Sequence, residues 1–337
     1  MGMTISVIGA GSWGTALALL IARNGHQVLL WGHHPEHIAN LGRDRCNKRY
    51  LPEAPFPETL QVTADLGEAV EQCELALVSV PSHAFRATLM AMHPAMPDSA
   101  GLAWATKGLE KTSGRLLSDV VTDIMGADRP AAVLSGPTFA SEVAAGKPTA
   151  ITVASRQTDM AAKTAALLHN KYFRAYTTSD IVGVQLGGAT KNVLAIAAGM
   201  ADGLGFGANA RAALITRGLA ELLRLGLAMG GRMETLMGLA GVGDLLLTCT
   251  DNQSRNRRFG LGLGQGLSRE EVTAQIGQEI EGATAASIIY KLACEKGIEM
   301  PITEQVYRIL NEGMTPAEAV DNLLLREPKP EMAQGMA

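Results

Sequence analysis

Thr4-Ile5-Ser6-Val7-Ile8-Gly9-Ala10-Gly11-Ser12-Trp13-Gly14 decides how this chain folds. Its first five residues, three of them apolar and β-branched, read as a buried strand. Residues 12–24 then carry helical periodicity up to Gly25. The three glycines between strand and helix have different uses. Gly9 makes the tight turn, Gly11 lets the backbone approach a pyrophosphate, and Gly14 lets the helix pack close to the sheet. The helix N-terminus then faces the anion. A glycine pattern alone is weak evidence, but set between a strand and a helix it points to dinucleotide binding.

Working outward, Gln27-Val28-Leu29-Leu30-Trp31 reads as a second strand, with others at residues 75–80, 102–105, 132–134, 150–154 and near 172–176. Strand, helix, strand at this spacing predicts parallel pairing through crossover helices: an α/β, doubly wound, Rossmann-type sheet. Pro52, Pro55 and Pro57 make residues 44–58 a surface loop, and Pro35 predicts a turn between His33 and His37. From Asp180 the strand-like runs vanish and helical periodicity continues to the end. Thr177-Thr178-Ser179-Asp180 supplies N-cap residues for a long helix there. The expected division is a dinucleotide-binding domain at 1–179, an all-α domain at 180–326 and a flexible tail at 327–337.

Composition agrees with a two-domain enzyme-sized chain. The 337 residues are 47% hydrophobic and 18% charged, which excludes disorder, and 29 basic against 33 acidic residues give a net charge of −4. That balance argues against a nucleic-acid or anionic-membrane binder, so any anion site is local. Cys46, Cys73, Cys249 and Cys294 have neither zinc-clip nor redox spacing, which implies a reducing compartment and no metal. The apolar run at 17–22 resembles a signal core. It lacks basic residues before it and follows a glycine cluster, and no other stretch reads as long enough to span a membrane. The expectation is a cytoplasmic protein with no membrane anchor.

The end of the second strand bears on the choice of dinucleotide. NAD sites usually place an acid there; this chain has Trp31-Gly32-His33-His34, with Glu36 beyond Pro35. The imidazoles and nearby Arg43 or Arg45 would tolerate a 2′-phosphate, so NADPH is expected and NADH remains open. Both histidines also suit a solvated turn. Ser79-Val80-Pro81-Ser82 lies where the second half of a dinucleotide would pass, although strand ending and helix capping alone explain it.

Three more segments concentrate chemistry. Trp104-Ala105-Thr106-Lys107-Gly108 puts a lysine at the sheet edge, and Ser135-Gly136-Pro137-Thr138-Phe139-Ala140 exposes backbone N–H groups at a helix start. Gly187-Gly188-Ala189-Thr190-Lys191-Asn192 places a lysine in an otherwise small and apolar helix. Each glycine there costs about 1 kcal/mol relative to alanine, which implies close approach of a ligand or another backbone. Downstream, Asp244 precedes an apolar run. Ser254-Arg255-Asn256 then offers a hydroxyl, a guanidinium fork and an amide, a set suited to a phosphate dianion, although a solvated basic turn is the usual fate of such a run.

Taken in order, these segments together with residues 252–256 resemble the bacterial-type NAD(P)-dependent glycerol-3-phosphate dehydrogenases from near residue 4 to near residue 325. The resemblance implies a homodimer that interconverts dihydroxyacetone phosphate and sn-glycerol 3-phosphate for glycerophospholipid synthesis. It implies Lys191 as proton acceptor and donor, with Lys107 and Asp244 beside it. Gly136, Thr138, Ser254, Arg255 and Asn256, with those three, are implied around substrate. Ser12, Trp13, His33, His34, Lys107, Ala140, Arg255 and Glu281, with Gly9, Gly11 and Gly14, are implied around the cofactor. His33 stands where arginine is frequent, and Glu279 where some relatives are apolar. Two other readings use the same fold: a hydride transferase for hydroxy or sugar acids, with a carboxylate clamp, and a non-catalytic dinucleotide sensor.

Overall fold

The computed structural model describes residues 2–328 and 330–331. Of the expected tail at 327–337, residues 329 and 332–337 lie outside the described residues. The amino-terminal half runs β1 (Thr4–Ile8), α1 (Ser12–Arg23), β2 (Gln27–Trp31), α2 (Pro35–Asp44), β3 (Cys46–Asn47), β4 (Leu51–Pro55), β5 (Leu60–Thr63) and α3 (Leu66–Glu71). It continues with β6 (Leu75–Val78), α4 (Ser82–Met92), β7 (Gly101–Trp104), α5 (Leu117–Met125), β8 (Ala131–Ser135), α6 (Ala140–Ala144), β9 (Thr149–Ala154), α7 (Thr158–Leu168) and β10 (Phe173–Thr178).

Eight strands form one sheet in the order β10-β9-β8-β7-β6-β1-β2-β5. β1 is flanked by β2 and β6, both parallel to it, so the chain leaves β1 in one direction and returns on its other side at β6. In an open α/β sheet this is the switch point, where loops at the carboxyl ends leave a crevice. Helices cover both faces, which is why β1, β6 and β7 are buried almost end to end instead of on alternate residues.

The sheet departs from the expected all-parallel pairing at one place: β8 and β9 are antiparallel, with Ser135 opposite Thr152. Between them α6 has only five residues. The chain stays at the carboxyl edge and re-enters the sheet from there, because no full crossover helix carries it back. β10 then pairs parallel with β9. Residues 44–58 are not a plain surface loop. β3 and β4 form a hairpin whose Leu51 and Ala54 enter the core, and Pro52 and Pro55 occupy exposed edge positions. Pro35 does not mark a turn between the histidines; it is the first residue of α2, where its missing N–H costs nothing. β5, edge partner of β2, had no counterpart in the sequence expectation.

The carboxyl-terminal half is helical: α8 (Ile181–Gly203), α9 (Ala208–Ala228), α10 (Met233–Leu236), a π-helical turn at Leu239–Gly243, α11 (Asp244–Thr250), α12 (Arg255–Gly264), α13 (Arg269–Ile276), α14 (Glu281–Glu295), α15 (Pro301–Asn311) and α16 (Pro316–Leu324). Asp180 caps α8 by accepting from Gly183 N at 2.8 Å. Contrary to expectation, α8 is long and apolar enough to cross a membrane by length and composition, yet nearly all of it is packed inside the protein. It touches its neighbours backbone to backbone. A Cβ on Gly199 would lie 2.0 Å from Arg257 O, and one on Gly260 of α12 would lie 2.0 Å from Ile196 O. This contact fixes the register of α8 against α12, and with it the side chains each helix sends into the crevice.

Candidate active site

A cleft of about 610 Å³ opens between the carboxyl edge of the sheet and the helices. One wall is the turn after β1. Gly9 has φ +123°, and a Cβ there would meet Ser79 O at 2.7 Å; one on Gly14 would meet Gly9 O at 1.9 Å. Gly11 differs, since nothing lies within 4 Å of its Cβ position. It caps α1 without a side-chain hydrogen bond, so the first-turn N–H groups around Ser12 and Trp13 face the cleft. This cradle fits a dinucleotide pyrophosphate. Trp13 lines the cleft here, and its buried Nε1 has no hydrogen-bond partner among the described residues. Ala140 and Lys107 line the same space.

The structure does not bring His33 and His34 to this cleft. His34 borders a neighbouring depression of about 680 Å³ together with His37, Arg43 and Lys48. The His33 and His34 rings lie with centroids 3.6 Å apart, tilted 43° to each other. Burial, with the charges of His34 and His37, holds the His33 imidazole below its ordinary range. Among the described residues no cluster of histidine, cysteine or carboxylate side chains is arranged to hold a metal.

The floor of the cleft is an ionic cluster. Asp244, the first residue of α11, is 1% exposed and accepts from Lys107 Nζ at 2.6 Å through one oxygen and from Lys191 Nζ through the other. Lys191 Nζ also donates to Thr248 Oγ1 at 2.9 Å, and that hydroxyl donates to Asp244 O at 2.6 Å. Lys107 reaches Gly136 O at 3.4 Å, so Gly136 supplies a carbonyl from behind and does not line the cleft; Thr138 Oγ1 donates to the same carbonyl at 3.2 Å. The costly glycine beside Lys191 serves another backbone: a Cβ on Gly187 would lie 2.2 Å from Ala240 O. That contact seats α8 on the turn leading into Asp244.

Burial pulls the Lys191 ammonium down to about 8, and the charge of Lys107 acts in the same direction against the pull of Asp244. Burial pushes the Asp244 carboxyl up. The charges and hydrogen bonds of both lysines outweigh that and leave it below the usual carboxylate range. The cluster therefore keeps a fixed anion beside an amine poised to exchange its proton near neutrality.

The far end is the N-terminus of α12. Ser254 caps it, its Oγ accepting from Arg257 N at 3.2 Å. Asn256 Oδ1 accepts from Gly282 N at 2.9 Å, and Arg255 Nη1 donates to Glu279 O at 3.1 Å. Each is partly committed to structure, which leaves the Ser254 hydroxyl hydrogen, the Asn256 amide N–H and the rest of the guanidinium for the cleft that all three line. Arg257, next in the basic run, is 6% exposed and bound to Cys249 O and Asp202, so it is structural. Glu281 opens α14 and accepts from Asn192 Nδ2 at 3.4 Å. Sequence reasoning missed Thr248, whose signal is its position one helical turn after Asp244, and Arg49 and Tyr50, hidden in a supposed loop.

Two family models cover most of the chain: the NAD-dependent glycerol-3-phosphate dehydrogenase N-terminus matches residues 4–161 and the corresponding C-terminus matches residues 180–321. The chain is 65% identical over 328 residues to a glycerol-3-phosphate dehydrogenase [NAD(P)+] of Methylococcus capsulatus, covering 97% of this chain and 98% of that one. It is 56% identical to the Aeromonas hydrophila protein of the same name, covering 98% and 99%. The crystal structure of glycerol-3-phosphate dehydrogenase from Coxiella burnetii superposes with a TM-score of 0.94 at 49% identity, covering 96% of this chain and 99% of that one.

Proposed function

Since the chain belongs to the NAD-dependent glycerol-3-phosphate dehydrogenase family, we propose how its cleft performs that reaction. It is an oxidoreductase that reduces dihydroxyacetone phosphate to glycerol 3-phosphate with NADPH or NADH. Residues 1–179 hold the dinucleotide on the glycine turn, and residues 180–326 supply the proton and the phosphate clamp. The nicotinamide, when bound, supplies the hydride. Lys191 then gives a proton to the ketone oxygen as its charge grows, and in reverse its neutral amine removes the hydroxyl proton. Lys107 adds positive field, and Asp244 aims both ammonium groups. Thr248 holds the Lys191 amine from its other side.

Ser254, Arg255 and Asn256 bind the phosphate at the helix N-terminus, so binding energy from a nonreacting group positions the reacting one. The observation that carries this reading is that Lys191 and Arg255 open onto one cleft, opposite the glycine turn. The reading includes a homodimer working in the cytoplasm on small molecules, serving glycerophospholipid synthesis, without nucleic acid or a membrane anchor.

The test is cofactor absorbance with dihydroxyacetone phosphate, repeated with NADH and with a panel of 2-oxo acids and unphosphorylated dihydroxyacetone. Oxidation of either cofactor fastest with the phosphorylated ketone is expected. Faster turnover of a 2-oxo acid would replace the phosphate clamp with a carboxylate clamp. Tight NADPH binding without any turnover would make the protein a sensor.

A further inference from the structure

We propose that Arg49 discriminates between the two nicotinamide cofactors by binding the adenosine 2′-phosphate that NADPH has and NADH lacks. This rests on the dinucleotide reading of the cleft. A sequence-level choice for that phosphate falls on His33, His34, Arg43 and Arg45, and the structure commits the two arginines elsewhere. Arg45 donates Nη1 to Leu60 O at 2.8 Å and Nη2 to Pro57 O at 2.5 Å, tying the hairpin to β5. Arg43 Nε and Lys48 Nζ sit 3.0 and 3.1 Å from the two oxygens of Asp44. With Glu36 on the same depression, those two cations meet two carboxylates. His33, held below its ordinary range, brings little charge at neutral pH.

A phosphate dianion arriving here needs a cation with no carboxylate of its own. Arg49 is exposed, borders both the depression and the main cleft, and forms no ion pair or hydrogen bond among the described residues. Its guanidinium lies over the Tyr50 ring, 5.2 Å from the centroid. With no hydrogen-bond partner among the described residues, the N–H donors of the fork are open, and such a fork takes a phosphate in two parallel hydrogen bonds.

The position of Arg49 is tied to the glycine turn. It lies at the tip of the β3–β4 hairpin, two residues after the fully buried Asn47. Asn47 Nδ2 donates to Ala10 O at 3.2 Å, inside the turn, and to Thr15 Oγ1 at 2.8 Å on α1. Tyr50 N returns to Asn47 O at 3.1 Å, and the His37 ring meets Tyr50 edge to face at 6.1 Å. Hairpin tip and pyrophosphate cradle therefore form one unit. A dinucleotide seated on α1 directs its adenosine toward the end of β2, where the depression lies.

The experiment measures KM for NADPH and NADH in Arg49→Ala and Arg49→Lys with saturating ketone, together with calorimetric binding of 2′,5′-ADP and 5′-AMP. In Arg49→Ala the NADPH KM and the 2′,5′-ADP dissociation constant should rise about 10- to 100-fold, while NADH and 5′-AMP move less than about twofold. Arg49→Lys should recover part of the loss by keeping the charge without the fork. An equal loss for both members of each pair would mean that Arg49 holds a part common to both cofactors, and no loss in either would mean that it touches neither; each overturns the proposal. If the unaltered protein oxidised neither cofactor, the enzymatic reading would fail, and the two nucleotide probes would still decide the role of Arg49.

Discussion

Lys191→Ala should lower kcat for ketone reduction by about a thousandfold or more and leave the dissociation constant of NADPH within about twofold. The size follows from losing the proton donor and the charge facing the developing oxyanion together. The selectivity follows from placement: Lys191 projects from α8 at the floor of the cleft, and the cradle for the pyrophosphate is on α1 across from it. Equilibrium binding by nicotinamide fluorescence, beside steady-state rates, checks both halves. The variant leaves Asp244 buried with Lys107 as its remaining cation, so its melting temperature must be recorded to show that it is folded. A folded variant that no longer binds NADPH would remove the assignment of Lys191 as a purely chemical group.

Arg255→Ala should cost about 100- to 1000-fold in kcat/KM for dihydroxyacetone phosphate, the loss of one or two charge-assisted hydrogen bonds to a dianion. Unphosphorylated dihydroxyacetone, which cannot use the clamp, should be affected only a few-fold, so the preference between the two ketones collapses. Arg255 Nη1 also holds Glu279 O, and some loss through the loop at 277–280 is expected for both substrates alike. That shared part is separable because it does not alter the ratio. Equal impairment with the two ketones would place Arg255 outside phosphate recognition.

Much of this was legible in the sequence where one residue type has one physical use. The glycine turn is such a case, because Gly9 and Gly14 stand where a Cβ would strike backbone. The lone lysine in a small-residue helix was legible only in part: the sequence allowed a wet face or burial, and the structure buries Lys191 at the floor of the cleft. What was not legible depended on partners distant in sequence. Gly187 and Gly188 announced a close approach without saying to what, and the neighbours are Ala240 O and Ser135 Oγ. The prolines of residues 44–58 suggested a loop, whereas the hairpin is held by Asn47 reaching Ala10, 37 positions away in the chain. Nor does a run of arginines tell which one is buried: Arg257 is spent on Asp202 and Cys249 O, and Arg255 two positions earlier faces the cleft. The reversal of β9 had a visible cause in the short segment after Ser135, which spacing alone does not distinguish from a crossover.

Lys191 as the group that exchanges the substrate proton is tested most directly by the pH dependence of kcat/KM in both directions on the unaltered enzyme, since that ratio reports the free enzyme. Burial and Lys107 bring the ammonium to about 8, so reduction, which needs the charged form, should fall as pH rises through that value. Oxidation of glycerol 3-phosphate, which needs the neutral amine, should rise over the same interval. Mirror-image profiles crossing near pH 8 are the expected result. Profiles that run in the same direction, or that stay flat from about pH 7 to 9, would contradict it.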